Sequence, residues 1–377
     1  MEFDFSKDQE LIRASVKEFL EKECPSDKVR EMDADERGYD PVMWRRMAEL
    51  GWMSIPFPDE YGGTGGDFMD LMIVIEGLGY YACPGPFFST LILGGLPILS
   101  SGSEDQKKEI LPRIADGDMI MTMAFTEIGG SYDASSINAE ALPDKGEYVM
   151  NGVKLFIPYA DISKYLLFAA RTEKGSDSED GITVFLVDAK SPGIKYTPLK
   201  TINREKQYEV AFDNVRILEN NIVGALNKGW PILKEAMERA AVAQCFEMIG
   251  GAMAVKEMAL DYAKKRNQFG RPIGSFQAVQ QHFANMWMWI NTSRHLINKA
   301  AWKITNGLPA SREAAMAKAR TGDIYRKITI LAHQVFAAIG FTMEHDMHLY
   351  HRRSVAGDIA FGNTDFQKEN VARELGL

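Results

Sequence analysis

Cysteine is scarce: Cys24, Cys83 and Cys245 are the three in 377 residues, and no C-x-x-C pair occurs. That excludes a disulfide framework and a thiolate zinc site, and it points to a reduced, cytoplasmic protein. Positive charge is also short. Lys plus Arg number 43 against 52 for Asp plus Glu, a net charge of −9. Nucleic-acid surfaces need clustered positive charge to meet phosphates, so that class is excluded. Long apolar runs are missing as well. The most apolar stretch, Leu91 to Leu99, is too short to span a bilayer. Met1 to Asp8 has no apolar stretch behind a basic start, so no signal peptide is read there. Neither repeats nor low-complexity tracts occur. What remains is an ordinary globular composition, 46% hydrophobic and 25% charged, long enough for two or three domains.

Three textures follow one another. Up to about Gly117 the apolar spacing is helical. Ser6 can cap a helix with Glu10 nearby, and Leu11, Val16, Phe19 and Leu20 form its stripe. A second helix follows Pro41 and is stopped by Gly51; Asp70–Gly79 and Ser103–Ile114 read alike. From about Met119 short β-branched and aromatic runs take over: Met119–Phe125, Tyr148–Val153, Tyr165–Arg171, Ile182–Val187 and Tyr208–Ile217. Pro143-Asp144-Lys145-Gly146, Gly175-Ser176-Asp177 and Asp180-Gly181 read as turns or loops between them. After Gly229 the helical spacing returns. Pro231–Arg266 has one weak point, Gly250-Gly251, and Ser311 caps a helix reaching about Ile339 with Glu313 in its first turn. The expected fold is mainly α with a β middle domain. An α-helical N-terminal domain takes residues 1–118, a β-barrel-like middle domain 119–224, and a C-terminal four-helix bundle 225–377.

Several segments carry possible chemistry. Tyr61-Gly62-Gly63-Thr64-Gly65-Gly66 lacks the Gly-Lys-Ser/Thr ending of a phosphate-binding loop and reads as a turn. Thr126-Glu127-Ile128-Gly129-Gly130-Ser131 follows a strand; it is either a plain turn or a set of N–H groups and a hydroxyl suited to a polar ring edge or an anion. Arg266 through Gln277 ends a long helix in a Phe269-Gly270-Arg271-Pro272 turn. Its guanidinium groups suit phosphate oxygens as well as they suit a helix dipole. His345, His348 and His351 sit three apart. On a helix their rings drift around the axis, which favours a polar bundle surface over a metal site, and no metal is assigned.

Taken together, these segments resemble the acyl-CoA dehydrogenase family over nearly the whole chain. Pro58-Asp59-Glu60-Tyr61-Gly62-Gly63, Ala124-Phe125-Thr126-Glu127, Asn151-Gly152-Val153-Lys154 and Tyr262-Ala263 through Gln277 are similar to its signatures, in the same order. The resemblance implies a flavoprotein oxidoreductase with FAD. A base takes the α-proton of an acyl-CoA thioester while the flavin N5 accepts the β-hydrogen as hydride. The electrons pass to electron-transferring flavoprotein. By position, Arg266, Gln268 and Phe269 would hold the pyrophosphate or adenosine side of FAD, with Gln277 and Gln334 contributing across a subunit interface. Thr126 would meet the isoalloxazine edge and Phe156 its face, while Tyr132 and Glu238 would contact the CoA substrate.

Departures from the family pattern matter equally. Pro158 replaces a threonine beside N5, and Ala337 and Ala338 replace two glycines after Gln334. Phe361, in Ala360-Phe361-Gly362-Asn363, occupies the usual position of the glutamate base, and the alternative position on the first bundle helix falls on Ala240. This marks a divergent subgroup. Glu247, seven residues after Ala240 and so on nearly the same face, is the candidate base among apolar neighbours; a helix carboxylate tied to an arginine is the other reading. Members of this subgroup pair with a second dehydrogenase-like subunit, so both a homotetramer and a heterotetramer follow. A catalytically incomplete subunit, whose partner supplies the base, stays open beside a different flavin reaction on the same fold. Substrates of such pairs are dicarboxylic, cyclic or steroid-side-chain CoA esters. Ala82-Cys83-Pro84-Gly85-Pro86-Phe87-Phe88 resembles a stretch found in them.

Overall fold

The computed structural model describes residues 6–173 and 179–377. The turn expected at Gly175-Ser176-Asp177 and the first five residues of the Met1 to Asp8 segment lie outside the described residues. The chain forms two compact units. One gathers Met1–Glu31, Phe68–Cys83 and Ala241–Leu377; the other gathers Met32–Asp67 and Pro84–Ala240.

The first unit is helical apart from one short ribbon. Helix α1 (Lys7–Glu23) begins in a capping box whose reciprocal partner is Gln9, not Glu10, because the side chain that reaches back must stand at the third helical position. α2 (Ser26–Ala34), which begins here and ends in the second unit, is a short polar helix without an apolar stripe strong enough to announce it. α4 (Phe68–Tyr80) packs on α1 and on α8 (Gln277–Thr305). α9 (Ser311–Phe336) in turn receives α8, α10 (Met347–Ile359) and α11 (Thr364–Glu374).

Two expectations are corrected here. Ser311 is the first helical residue rather than the cap, and the preceding Ala310 makes no side-chain bond. The start of α9 is secured instead by Glu313, which accepts from Lys303 at 2.6 Å, Lys299 at 3.3 Å and Arg312 at 3.2 Å. Nor is Gly250-Gly251 a weak point of α7 (Trp230–Lys265), which runs through it unbroken. A Cβ at Gly250 would lie 2.1 Å from the Glu76 carbonyl oxygen, one at Gly79 2.0 Å from that of Glu247, and one at Gly251 2.2 Å from the Tyr325 hydroxyl. The glycines let α7 and α4 touch backbone to backbone.

The second unit carries α3 (Pro41–Glu49), α5 (Leu96–Ser101), α6 (Glu104–Ala115) and an eight-stranded sheet. Asp40 caps α3 by accepting from the Val42 and Met43 N–H groups. Leu91 to Leu99, the apolar stretch, lies in a wide π-type turn (Ser89–Gly95) and α5. Glycines 62 and 63 fold tightly. The N–H groups of Gly63, Thr64 and Gly65 donate to Pro58, Ser54 and Phe57 carbonyls, which leaves them unavailable to a phosphate.

The strands are β1 (Met121–Ala124), β2 (Glu140–Asp144), β3 (Glu147–Pro158), β4 (Tyr165–Arg171), β5 (Ile182–Asp188), β6 (Ile194–Leu199), β7 (Gln207–Leu218) and β8 (Ile222–Val223). Their order is β6-β7-β3-β2-β4-β5-β8, with β1 paired in parallel to β4. The loop expected at Pro143–Gly146 is smaller than read. Pro143 and Asp144 end β2, opposite Tyr148 and Glu147, and only Lys145 and Gly146, both at positive φ, make the hairpin turn. One face of the sheet closes on Phe168, Phe185, Val210 and Phe212, with the Phe168 and Phe212 rings 4.2 Å apart. Burying each such side chain contributes about 1.5–3 kcal/mol.

Candidate functional site

The β unit brings Thr126 and Phe156 together. β1 ends at Ala124, and the Thr126 carbonyl just beyond it accepts the Leu155 N–H at 2.8 Å. Leu155 and Phe156 occupy a bulge where the β3–β7 register slips between Lys154 and Ile157. The bulge puts Phe156 at φ +57°, a left-handed conformation that side chains avoid, and leaves it 54% exposed. An aromatic held against its backbone preference and turned outward offers a face on which a flat ring can stack. Pro158 ends the same strand, opposite Gln207.

Under this surface lies an ion pair that the sequence reading passed over. Lys154 Nζ, fully buried, donates to Glu127 Oε1 at 2.6 Å and to the Phe125 carbonyl at 3.3 Å. Burial pushes the Lys154 ammonium down to about 8, against the pull of Glu127. The Glu127 carboxylate also accepts the Asn138 and Ala139 N–H groups, at 2.9 and 3.0 Å. A lysine on an apolar strand, together with a glutamate just after another strand, was the available signal. Beyond Glu127 the loop opens into Gly129 and Gly130, both at positive φ with open space around them. Tyr132 returns to stack on Phe125, 6.1 Å between centroids, and Phe125 leans on Trp230 at the start of α7. Glu238 lies two turns farther along that helix, half-buried.

In the helical unit, α7 ends at Lys265 and the chain turns through a two-residue ribbon, β9 (Asn267–Gln268) against β10 (Arg271–Pro272). Phe269 and Gly270 form its tip, both at positive φ, and Phe269 is 92% exposed. Arg266, Gln268 and Gln277 are exposed as well. Arg271 lies over the Phe276 ring at 4.2 Å, which braces the ribbon. Gln334, exposed near the end of α9, belongs to the same end of the unit, because Tyr262 of α7 meets Phe336 of α9 at 5.1 Å. Exposed guanidinium, amide and aromatic groups form a donor set that fits a dinucleotide's phosphates and ring.

Phe361 stands between α10 and α11 at φ +55°. Its carbonyl accepts the Gln367 side-chain amide at 2.7 Å. Fully buried Lys318 donates to the Asp358 and Gly362 carbonyls on either side of it. These bonds hold the turn, which offers no side-chain proton acceptor at residue 361. Ala240 is fully buried. Glu247 is half-buried between the buried Phe246 and Met248, and its Oε2 accepts from the Gln244 amide at 2.8 Å. The neighbouring Cys83 thiol is raised by its hydrogen bond with Cys24 and by burial, with Arg353 and Glu247 acting on it in opposite directions. Glu247 is therefore a carboxylate held by a side-chain amide beside buried apolar neighbours in the helical unit.

The three spaced histidines have separate partners: the Met347 N–H for His345, the Met343 carbonyl and Arg352 for His348, and Thr329 for His351. Among the described residues, no group of three His, Cys, Asp or Glu side chains could hold a metal ion. Nor is any described helix long and apolar enough to cross a membrane.

Sequence models of the acyl-CoA dehydrogenase family match in three pieces: the N-terminal domain over residues 6–118, the middle domain over 122–215 and the C-terminal domain over 227–376. An acyl-CoA dehydrogenase of Bacillus subtilis (strain 168) is 30% identical over 381 residues, covering 98% of both chains. A chain of the Acidaminococcus fermentans electron transferring flavoprotein structure superposes with a TM-score of 0.94 at 29% identity, over 100% of this chain and 99% of that one. The structure of PigA with FAD and proline gives 0.93 at 26%, over 100% of both. The cofactor is FAD, which the outward aromatic at Phe156 and the donors of the Arg266 ribbon fit. From its N-terminal helices through its β middle domain to its C-terminal helices, this chain belongs to the acyl-CoA dehydrogenase family of FAD-dependent oxidoreductases.

Proposed function

We propose that this chain oxidises an acyl-CoA thioester to the α,β-enoyl-CoA. The observation that carries the reading is the junction of Thr126 with the outward Phe156 on a chain of this family. FAD, when bound, supplies the two-electron acceptor for the β-hydrogen. Phe156 would cover the flavin face and exclude water from it, and Thr126 would meet the ring edge, with Pro158 beside it. Arg266, Gln268, Phe269, Gln277 and Gln334 would hold the pyrophosphate and adenosine side across a subunit interface. Tyr132 and Glu238 would bind the CoA arm.

Glu247 would take the Cα proton. It is half-buried beside apolar side chains, and the Gln244 amide fixes its orientation. The electron acceptor would be electron-transferring flavoprotein, a reading supported by the likeness to the Acidaminococcus fermentans structure. Reduced cysteines fit a cytoplasmic setting.

Phe361 favours a second reading, in which the chain is the incomplete subunit of a heteromeric dehydrogenase of a divergent subgroup and its partner brings the base. The two readings separate cleanly. The purified chain is expected to show flavin absorbance and to bleach anaerobically with at least one thioester from an acyl-CoA panel, while Glu247→Gln lowers the rate of bleaching at least a hundredfold. A Glu247→Gln variant that bleaches at the wild-type rate removes Glu247 as the base. A colourless or unstable chain that gains flavin only when co-expressed with a second dehydrogenase-like subunit selects the heteromer.

A further inference from the structure

Three bonds fix Thr126 relative to Phe156, and two of them come from one ammonium group. Among the described residues β1 is paired only with β4, so no ladder there joins the end of β1 to the bulge of β3. Across that gap the Leu155 N–H reaches the Thr126 carbonyl. Lys154 Nζ reaches both chain neighbours of Thr126, the Phe125 carbonyl and the Glu127 carboxylate. Lys154 and Glu127 are 0% and 8% exposed, so both charges are desolvated, and a well-packed apolar pair would hold the strands more cheaply. An apolar pair would not hold a carbonyl and a carboxylate at fixed points on either side of one residue. The Asn138 and Ala139 N–H groups anchor the carboxylate from the other side, so Glu127 itself cannot follow a moving lysine.

From this geometry, and resting on the flavin reading above, we propose that Lys154 is a positioning residue for the cofactor: its ammonium, paired with Glu127, locks Thr126 against the Phe156 bulge so that the ring edge and ring face are met together. Its effect passes through Thr126 and Phe156 rather than through contact with the flavin. The pair sets local geometry at the site, while the fold is carried by the sheet's apolar face.

The test compares wild type, Lys154→Arg and the double variant Lys154→Met with Glu127→Gln, which removes both charges and keeps both shapes. Each apoprotein is melted, titrated with FAD by flavin fluorescence, and scanned for the fine structure of the bound flavin's visible band. The double variant is expected to melt near wild type, to bind FAD at least tenfold more weakly, and to show a band blurred toward that of free flavin. A folded double variant with wild-type affinity and band shape overturns the proposal. If the double variant does not fold, Lys154→Arg decides. It keeps the charge, but its fork cannot occupy the point between the Phe125 carbonyl and Glu127, so weakened binding is expected and wild-type binding overturns the clamp. Wild-type protein that fails to bind FAD at all overturns the flavin reading itself, a result distinct from either variant outcome.

Discussion

At the scale of single residues, several positions are held against their own preferences. Phe156 and Phe269 both adopt left-handed backbone conformations on largely exposed side chains. That conformation costs roughly 1–2 kcal/mol for a residue with a Cβ. Replacing Phe156 by glycine relieves the strain and removes little buried surface, so the apoprotein is expected to melt no lower than wild type. FAD affinity is expected to fall at least tenfold. Calorimetry of the apoprotein and a flavin titration measure the two, and a variant melting much lower would show that Phe156 serves packing. Glu313 is held the other way. Burial alone would raise its carboxyl, but Lys303, Arg312 and Lys299 hold it down to about 2. Because the folded value lies below the unfolded one of about 4.3, the unfolded chain takes up the proton first. The stability Glu313 contributes is complete above about pH 4.5 and is lost as pH falls toward 2. Urea midpoints measured from pH 6 to pH 3 should fall more steeply for wild type than for Glu313→Gln, which is already weaker at pH 6; parallel profiles would refute this.

At the scale of elements, α4 and α7 cross backbone to backbone. Gly250→Ala adds about 1 kcal/mol of helix propensity, yet its Cβ would lie 2.1 Å from the Glu76 carbonyl oxygen. Backbone cannot yield as a side-chain tip can, so a net loss of about 2 kcal/mol or more is expected in urea unfolding. A stabilised variant would mean that the helices part without cost. This crossing also marks the limit of what the sequence reveals. Paired glycines in a helical pattern look like a break unless the partner backbone is known. β2 and β6 escape notice for a related reason, since each carries a proline. β6 is an edge strand, and Pro143 falls on β2 beyond Glu140, the single β2 residue paired with β4. β4, apolar on both sides, matches its expected span from Tyr165 to Arg171. At the site, Thr126 and Phe156 could be named from local motifs. The Lys154 clamp could not, because it joins strands through tertiary contact.

At the scale of the whole molecule, the interleaving of the chain has its own consequence. The helical unit is gathered from Met1–Glu31, Phe68–Cys83 and Ala241–Leu377, so the chain passes from one unit to the other after Glu31, Asp67, Cys83 and Ala240. During synthesis α1 and α4 therefore leave the ribosome well before the helices that cover them. At roughly 5–20 residues per second, the delay between Cys83 and the Gly250 crossing is on the order of ten seconds or more. Through that interval α4, with Leu71, Met72, Val74 and Ile75 all fully buried in the finished protein, has α1 beside it but neither α7 nor α8 to cover it. A fragment ending at Ala240 should be insoluble or bind a hydrophobic dye strongly, and co-expression of 241–377 should rescue it; a soluble fragment that ignores the dye would contradict this. The nascent chain is thus a client for chaperones by construction, and its yield in a cell will depend on how long α4 waits as much as on how stable the finished protein is.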